Sequence, residues 1–300
     1  MKGKVAKMRK KELATQVLIT IAFAILCIAI IFPFWLLLSV SLSSERSISD
    51  LGYQLFPKNI DLSAYKYVLE NPQMILKAYK VTIIFSVISM IFSVLLMAMI
   101  AYPLSNKCFK CRSGVSFYLY FTMLFGGGMV PTYVLITQYM HLDDNILVYI
   151  LPGLISPWFV FMIRSFFQGI PGEIAESVLV DGGNEYTIFF KMILPLSRPV
   201  LATVALFVFL GKWNDWMTSM LYINDEKLIS LQYLLQRMMQ NIQLLQDNSQ
   251  RIGIPIDVSK IPSETARMAM AVIVAGPALL VFPFFQKYFV KGLTVGSVKG

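Results

Sequence analysis

Long apolar stretches alternate with short polar segments along most of this 300-residue chain. A helix needs about 20 apolar residues to cross the hydrocarbon core of a bilayer, and six stretches meet this requirement. They predict six transmembrane helices, at about 17–40, 81–104, 115–139, 146–167, 200–223 and 266–289. The first stretch is too long for the apolar region of a cleaved signal peptide, so we expect it to remain as a span.

Prolines occur inside several predicted spans, namely Pro131, Pro152, Pro157, Pro277 and Pro283. Neighbouring helices can satisfy the backbone groups that a proline frees, so we expect kinks and not breaks. Span three also contains three consecutive glycines, 126–128. No strand precedes them, which argues against a nucleotide-binding loop, and we expect them to allow close helix packing.

The charge of the short polar segments predicts the orientation of the chain. The N-terminal tail, the loop after span two and the C-terminal end carry 12 Lys and Arg residues against one acid. The opposite segments, 42–80, 141–145 and 224–267, carry 10 bases and 11 acids. Because basic segments stay on the cytoplasmic side, we predict a cytoplasmic basic tail (1–16), a six-span domain (17–289) and a cytoplasmic C-terminal tail (290–300).

Two of the predicted outer segments are long. Residues 42–80 contain turn-rich pieces and predict a partly irregular cap. Within the outer loop 224–265, apolar residues recur at helical spacing over 227–246, which predicts an amphipathic helix. This helix would either lie on the membrane surface or support the irregular loop 247–262 for contact with a partner.

The composition agrees with a membrane protein and excludes several other classes. Apolar residues make up 57% of the chain and charged residues 14%, whereas about a quarter of a soluble domain is charged. The net charge of +9 is explained by the basic tails and loop, and no folded basic module suggests binding to nucleic acid. No phosphate-binding loop is present, so any ATP would be hydrolysed by another chain.

Few residues could build a catalytic or metal site. His141 is the one histidine, which leaves little material for a metal site or a Ser-His-Asp triad. His141 with Asp143 and Asp144 could hold a cation, although a solvated outer turn is the commoner role. Cys108 and Cys111 form a C-x-x-C without a second pair, so we predict no metal site there. Since few residues could build a catalytic site, we also predict that the chain is not an enzyme.

Residues 170–199 break the charge pattern, because they are acidic although the span count places them in the cytoplasm. Glu173 and Glu176 are typical of the first turn of a helix, and Gly182 and Gly183 would end that helix. A second helical period follows the glycines. We therefore predict two short helices joined at a glycine elbow, and we call residues 170–199 the elbow segment. Its exposed carboxylates could dock into a groove on another protein.

The elbow segment resembles the cytoplasmic signature of permease subunits of binding-protein-dependent ABC importers. That signature is Glu-Ala-Ala, three residues, Gly, nine residues, Ile, one residue, Leu-Pro. The corresponding residues here, with the spacing intact, are Glu176-Ser177-Val178, Gly182, Met192 and Leu194-Pro195. Asp181, Pro199 and the ending 285–300 are similar to the carbohydrate-uptake branch, and more narrowly to the second permease of maltose-type and complex-oligosaccharide importers.

The resemblance implies an all-α fold, the six-helix MetI-like transmembrane domain of type I ABC importers. It also implies a second homologous permease, a dimer of ATPase subunits that binds ATP and Mg, and an extracellular sugar-binding lipoprotein. The elbow segment would be the coupling segment that docks on the ATPase, where Glu176 would meet a basic residue. The residues implied for coupling are Glu173, Glu176, Ser177, Asp181, Gly182, Leu194 and Pro195; local capping is the alternative role for each.

A candidate sugar path lies near the outer end of span five, because charged residues inside a span are functional candidates. Lys212 and Asp215 are three residues apart, so on a helix they would pair. Trp213, Asn214 and Trp216 combine flat apolar surface with polar donors, which would suit a sugar ring. The alternative is an aromatic belt with a lysine that reaches the interface.

The sequence therefore predicts a permease subunit of a bacterial ABC importer in the plasma membrane, which moves an oligosaccharide by alternating access and binds no cofactor itself. Trp158 and Arg164 are lesser candidates for the sugar path. One alternative is a stand-alone ion-coupled transporter, which the scarcity of intramembrane acids argues against. Another is the membrane anchor of an enzyme complex, for which no cluster of nucleophile, base and metal ligands is present.

Overall fold

A computed structural model describes residues 2–252 and 263–296 of the chain. All regular elements in these ranges are helical, as predicted, apart from an isolated antiparallel bridge between Ser43 and Ile60. The α-helices in chain order are α1 (Lys2–Ser41), α2 (Glu45–Leu51), α3 (Ser63–Val68), α4 (Pro72–Ser105), α5 (Arg112–Leu124), α6 (Met129–Val134), α7 (Leu147–Ile150), α8 (Pro157–Gln168), α9 (Glu173–Val180), α10 (Glu185–Thr187), α11 (Leu194–Leu196), α12 (Arg198–Trp213), α13 (Met217–Tyr222), α14 (Leu231–Ile252) and α15 (Ser263–Gly296). Two π-helical turns, Leu135–Tyr139 and Ile188–Ile193, extend α6 and join α10 to α11.

Helices long and apolar enough to cross a membrane correspond to predicted spans one, two and six. Within the described ranges they are Thr15–Ser41, Pro72–Ser105 and Ser263–Gln286. Two bent pairs of helices could each make one further span. These pairs are Arg112–Leu124 with Met129–Tyr139, bent by 112°, and Glu185–Leu196 with Arg198–Trp213, bent by 77°. The described residues thus hold three to five candidate spans, and a total of six stays a prediction.

The predicted fourth span, 146–167, is not one helix. α7 ends at Ile150 and α8 begins at Pro157, and the residues between them are not helical. Pro152 has no N–H for a helical hydrogen bond, and Gly153 has a φ of +77°, a left-handed conformation that ends helices. The prediction of kinks at Pro152 and Pro157 is therefore wrong, because these prolines flank a break.

The glycines in predicted span three also make a break and do not serve close packing. They lie between α5 and α6, and Gly128 has a φ of +84°. A Cβ atom built on Gly126 or Gly128 would meet nothing within 4 Å, so the predicted close packing is wrong for contacts within this chain. Pro131 follows in the first turn of α6, whereas α15 continues through Pro277 and Pro283.

The described residues form two compact units. The first unit lies within Met1–Asn71 and Met239–Ala275, and the second within Pro72–Met238 and Gly276–Gly300. In the second unit α4 packs along both α12 and α8. Around these helices lies a buried apolar core made by Met97, Ala98, Ala101, Leu104, Leu119, Val160, Ile163, Phe167, Val178, Ile188, Phe189, Ile193, Val200 and Val204. On the same α4, Phe85 stacks on Tyr149 of α7 with 4.3 Å between the ring centroids.

The first unit contains α1 and residues 42–71 of the predicted cap, whose remaining residues, 72–80, are the first residues of α4. The cap is partly irregular, as expected: α2 and α3 flank a stretch without helix, 52–62. Side chains of α1 hold this stretch, because the Trp35 indole donates to the Leu55 carbonyl at 2.9 Å and the Ser39 hydroxyl donates to the Gln54 carbonyl at 2.7 Å. The apolar side chains of α1 from Val17 to Trp35 are exposed, as a span that faces lipid requires.

A carboxylate from α2 caps the start of α15 within the first unit. Glu45 accepts hydrogen bonds from the backbone N–H groups of Glu264 and Thr265, both at 3.0 Å. The hydroxyls of Ser263 and Thr265 donate to the same carboxylate at 2.9 and 2.7 Å. The first N–H groups of a helix have no partner within the helix, so Glu45 stabilises this end although it lies 218 residues before Ser263.

The amphipathic helix predicted at 227–246 is α14, which begins and ends a few residues later. Its start is fixed by α4, because the N–H of Leu231 donates to the buried Thr82 hydroxyl at 2.9 Å. Among the residues of α14 whose side chains are described, the buried ones are Leu231, Leu234, Leu235 and Ile242. Of the predicted loop 247–262, residues 253–262 lie outside the described ranges, as do the last four residues of the C-terminal tail.

Candidate functional site

The elbow segment contains the two short helices and the glycine turn that the sequence predicts. α9 ends at Val180, and Gly182 has a φ of +80°. The N–H of Gly183 then donates back to the Val178 carbonyl at 2.8 Å. A Cβ atom at position 183 would lie 2.4 Å from Cγ1 of Val178, so only glycine fits there. The sequence signature marks Gly182, whereas Gly183 is the tighter position.

The second half of the elbow segment begins at a cap that the sequence analysis missed. The Asn184 side-chain oxygen accepts from the N–H and the hydroxyl of Thr187, at 2.9 and 3.0 Å. Asparagine is a strong N-cap, so this residue type was a usable signal. A π-helical turn, Ile188–Ile193, then precedes Pro195, which cannot donate the helical hydrogen bond expected of its position.

One face of the elbow segment is buried in the second unit. Val178, Ile188, Phe189 and Ile193 belong to its core, and Leu194 packs partly buried against them. The other face is exposed and carries Glu173, Glu176, Ser177, Asp181 and Pro195. Val180 lies on that face with 87% of its surface exposed. Carboxylates beside a large exposed apolar side chain make a surface suited to binding a protein.

The residues predicted for coupling thus have different roles in the structure. Glu173 and Glu176 lie exposed in the first turn of α9. The Ser177 hydroxyl donates to the Ile174 carbonyl at 2.9 Å, a local bond within the helix. Glu185 was not predicted, yet its carboxylate accepts a hydrogen bond from the Tyr102 hydroxyl in α4 at 2.6 Å. No periodicity could reveal this contact, since 83 residues separate the two.

The candidate sugar-path residues do not form the predicted arrangement. α12 ends at Trp213, so Lys212 and Asp215 do not share a helix face. Lys212 donates instead to the carbonyls of Tyr149 and Pro152, and the Asp215 carboxylate accepts from the N–H and hydroxyl of Thr218 at the start of α13. Because α12 ends between Lys212 and Asp215, the two side chains do not form the predicted pair. Each bonds instead to groups of a different segment.

The aromatic and amide groups of this region differ in accessibility. Trp213 is 2% exposed and packs near Phe209, with ring centroids 5.8 Å apart, and near Tyr79 at 6.4 Å. Trp216 is 36% exposed. Asn214 is exposed, and its side-chain oxygen accepts from Gln232 at 3.0 Å. Of the five candidates, Asn214 and Trp216 are exposed, Lys212 and Asp215 are half-buried, and Trp213 is buried.

The contacts of the two lesser candidates, Arg164 and Trp158, do not indicate a sugar site. The Arg164 guanidinium of α8 donates to the Ser116 hydroxyl of α5 at 2.9 Å and lies 5.9 Å from the Phe161 ring centroid. Trp158 is exposed at the start of α8. These observations make Arg164 a link between helices.

The turn around His141 is held by backbone contacts. Its Asp144 carboxylate accepts from the N–H groups of Asn224 and Asp225, and these bonds hold the pKa of Asp144 below its ordinary value. Both His141 and Asp144 have a left-handed backbone. In the described ranges, no group of three His, Cys, Asp or Glu side chains is arranged to hold a metal ion.

Comparison with known proteins places this arrangement in a family. Residues 71–295, which include the whole elbow segment, match the profile described as the binding-protein-dependent transport system inner membrane component. The chain belongs to this family. It is therefore a multi-pass membrane permease of the ABC importer type with a MetI-like fold, and such permeases work in general with a second permease, an ATPase and a binding protein.

Individual relatives of this permease cover nearly its full length. It is 37% identical to protein LplC of Bacillus subtilis (strain 168) over 90% of each chain. It is 36% identical to the polygalacturonan/rhamnogalacturonan transport system permease protein YtcP of the same organism, over 93% of this chain and 94% of YtcP. These matches confirm the predicted resemblance to carbohydrate-uptake permeases.

A solved structure agrees with the fold of this permease. The structure is described as the crystal structure of a bacterial ABC transporter involved in the import of the acidic polysaccharide alginate. It matches with a TM-score of 0.78 and 27% identity, over 93% of this chain and 98% of the other.

Proposed function

We propose that this permease is one transmembrane subunit of a carbohydrate importer that moves an oligosaccharide across the bacterial plasma membrane by alternating access. The named functions of YtcP and of the alginate importer support a carbohydrate substrate. ATP and Mg would be bound by a separate ATPase dimer, and this chain would bind no cofactor. The remaining partners would be a second homologous permease and an extracellular sugar-binding lipoprotein.

The observation that carries the proposal is the exposed face of the elbow segment. Glu176 and the almost fully exposed Val180 lie on a short helix whose opposite side is anchored in the core through Val178. An acidic and apolar surface on a rigid support is what a docked partner with a basic, partly apolar cleft would recognise. Closure of the ATPase on ATP would then move the elbow segment and favour one of two states of the permease.

The charge distribution supports a cytoplasmic position for the elbow segment. The basic tail 1–16, the loop after α4 and the C-terminal tail would lie on that side by the same rule. With both termini cytoplasmic, the cap 42–80 and the start of α14 would face outward, toward the sugar-binding lipoprotein.

Isolation of the complex from its native membrane tests the proposal. The chain would be purified in mild detergent and the proteins that accompany it identified by mass spectrometry. Recovery of a second permease, an ATPase and a sugar-binding lipoprotein is expected, because each would contact this chain in the proposed assembly. Reproducible recovery of the folded chain alone would contradict the proposed assembly.

A further inference from the structure

A hydrogen bond between side chains joins the last turns of α4 to the elbow segment. The Tyr102 hydroxyl donates to Oε2 of Glu185 at 2.6 Å, a length typical of hydrogen bonds to a charged carboxylate, which are about twice as strong as neutral ones. Glu185 is the first residue of α10 and directly follows the Asn184 cap. Its carboxylate therefore moves with the second half of the elbow segment.

Tyr102 makes two separable contacts with that half. Its ring lies 5.2 Å from the ring of Phe189, which is buried in the core. This apolar contact has little directionality, whereas the hydroxyl contact with Glu185 fixes a direction. A phenylalanine at position 102 would keep the first contact and remove the second.

The helix α4 connects Tyr102 with the break in predicted span four. α4 packs along α12 and α8, and its Phe85 stacks on Tyr149 at 4.3 Å. The carbonyl of Tyr149 accepts from Lys212. Because close-packed interiors transmit small displacements, a movement of the end of α4 would reach the region beside the candidate sugar path.

We propose that the Tyr102–Glu185 hydrogen bond transmits the movement of the elbow segment to α4, which makes Tyr102 a positioning residue for coupling. The inference rests on the proposed function, because it needs an ATPase that moves the elbow segment. It adds a route by which that movement leaves the segment. Glu176 would receive the movement, and Tyr102 would pass it on.

Hydrogen–deuterium exchange of the purified importer complex tests this route without knowledge of the sugar. Exchange would be compared with and without ATP plus vanadate, in three peptides that cover the elbow segment, the end of α4 with its following loop, and residues 150–157. In the wild-type complex we expect changes in all three. In Tyr102→Phe the elbow segment should still respond, while the responses of the other two peptides fall about fivefold or more.

Matched variants separate transmission from a general loss of structure. Glu185→Ala removes the acceptor and should reproduce the effect of Tyr102→Phe, and the double variant should lose no more than either single variant, because one bond is removed in all three. Glu185→Gln keeps an acceptor oxygen and should recover part of the response. Tyr118→Phe, the same chemical change at a side chain 66% exposed on α5, should respond as the wild type does.

The outcomes distinguish this inference from the proposed function. If the wild-type elbow segment does not respond to ATP plus vanadate, the docking of an ATPase on it is wrong. If the elbow segment responds but Tyr102→Phe leaves the other two peptides at wild-type response, or if the losses of the two single variants add, the Tyr102 route is wrong. Should Tyr102→Phe fail to assemble, Glu185→Ala decides by the same criteria.

Discussion

Lys212 donates hydrogen bonds to the backbone carbonyl of Tyr149 and, at 3.1 Å, to that of Pro152. These carbonyls lie in α7 and in the break that follows it, where the helical pattern of hydrogen bonds stops. Unpaired carbonyls inside a membrane are costly. Lys212, which the sequence suggests as a substrate-binding residue, therefore stabilises the break in predicted span four.

Lys212→Met is expected to destabilise the protein. Methionine keeps the length and apolar character of the side chain but cannot donate to the two carbonyls, so we expect a loss of about 1–2 kcal/mol in the free energy of unfolding. Lys212→Arg keeps donors and should lose less. Thermal unfolding in detergent, followed by tryptophan fluorescence, measures both. A wild-type Tm for Lys212→Met would show that the two hydrogen bonds do not stabilise the break.

Trp213→Ala should mainly lower stability, whereas Trp216→Ala should mainly affect uptake. Trp213 is 2% exposed and packs on Phe209 and Tyr79, so its truncation leaves a cavity that costs about 3–5 kcal/mol. Trp216 is accessible, so its truncation should leave Tm nearly unchanged and raise the KM of uptake if it contacts sugar. Measurement of Tm and uptake kinetics on both variants decides. Normal uptake by Trp216→Ala would assign that residue to an aromatic belt.

Glu176→Lys is expected to weaken the ATPase contact and to leave insertion intact. Reversal of charge on the exposed face of α9 would oppose a basic partner, and like-charge contacts cost several kcal/mol, so ATPase recovery with the purified chain should fall by about tenfold or more. Glu70→Lys makes the same charge change at an exposed site on the first unit and serves as the control. Equal ATPase recovery with both variants would remove Glu176 from the docking surface.

Gly183→Ala should damage the elbow more than Gly182→Ala. The added Cβ at 183 would overlap Val178, 2.4 Å from Cγ1 and 2.8 Å from the carbonyl oxygen, and relief of this overlap must shift α9. At 182 the Cβ has open space, and the cost is that of a left-handed backbone, about 1–2 kcal/mol. Limited proteolysis of the elbow segment compares the two variants. Equal cleavage rates would contradict the steric argument.

Stability should depend on the ionisation of Glu45. Burial raises the pKa of this carboxyl, but the hydrogen bonds from Glu264, Thr265 and Ser263 lower it by more, so the net pKa lies below the ordinary 4.5. A carboxyl with a lowered pKa stabilises the folded protein above its unfolded-state pKa, and this stabilisation is lost as pH falls through the folded-state pKa.

The Glu45→Gln variant makes this pH dependence measurable. At pH about 7 it should be less stable than wild type by about 2 kcal/mol, because a charged acceptor of several hydrogen bonds is replaced by a neutral one. The difference in Tm should shrink as pH falls through the lowered folded-state pKa of Glu45, because the protonated carboxyl is then neutral like the amide of glutamine. Glu70→Gln is the matched control. A Tm difference that stays constant with pH would contradict the assignment.

Local patterns predicted the elements that local forces determine. Spans one, two and six follow from uninterrupted apolar runs, and the elbow follows from Gly182 and Gly183 beside acidic first-turn residues. The break at Pro152 was missed because a proline in a span is compatible with a kink or a break, and distant partners decide which.

Contacts between distant residues could not be predicted from spacing. Lys212 and Tyr149 lie 63 residues apart, and Tyr102 and Glu185 lie 83 apart. Periodicity reports which face of a helix is apolar but not which residue of another helix it meets. For Lys212 the sequence signalled a charge in a span, and only the fold showed that its donors are occupied by backbone.

The cap that Glu45 provides to α15 has a consequence for biosynthesis. Ser263 leaves the ribosome 218 residues after Glu45, about 20 s later at roughly 10 residues per second. During that interval the N-terminal part of the first unit waits for its partner, and the carboxylate must remain hydrated. The first unit is thus completed only after the start of α15 has been synthesised.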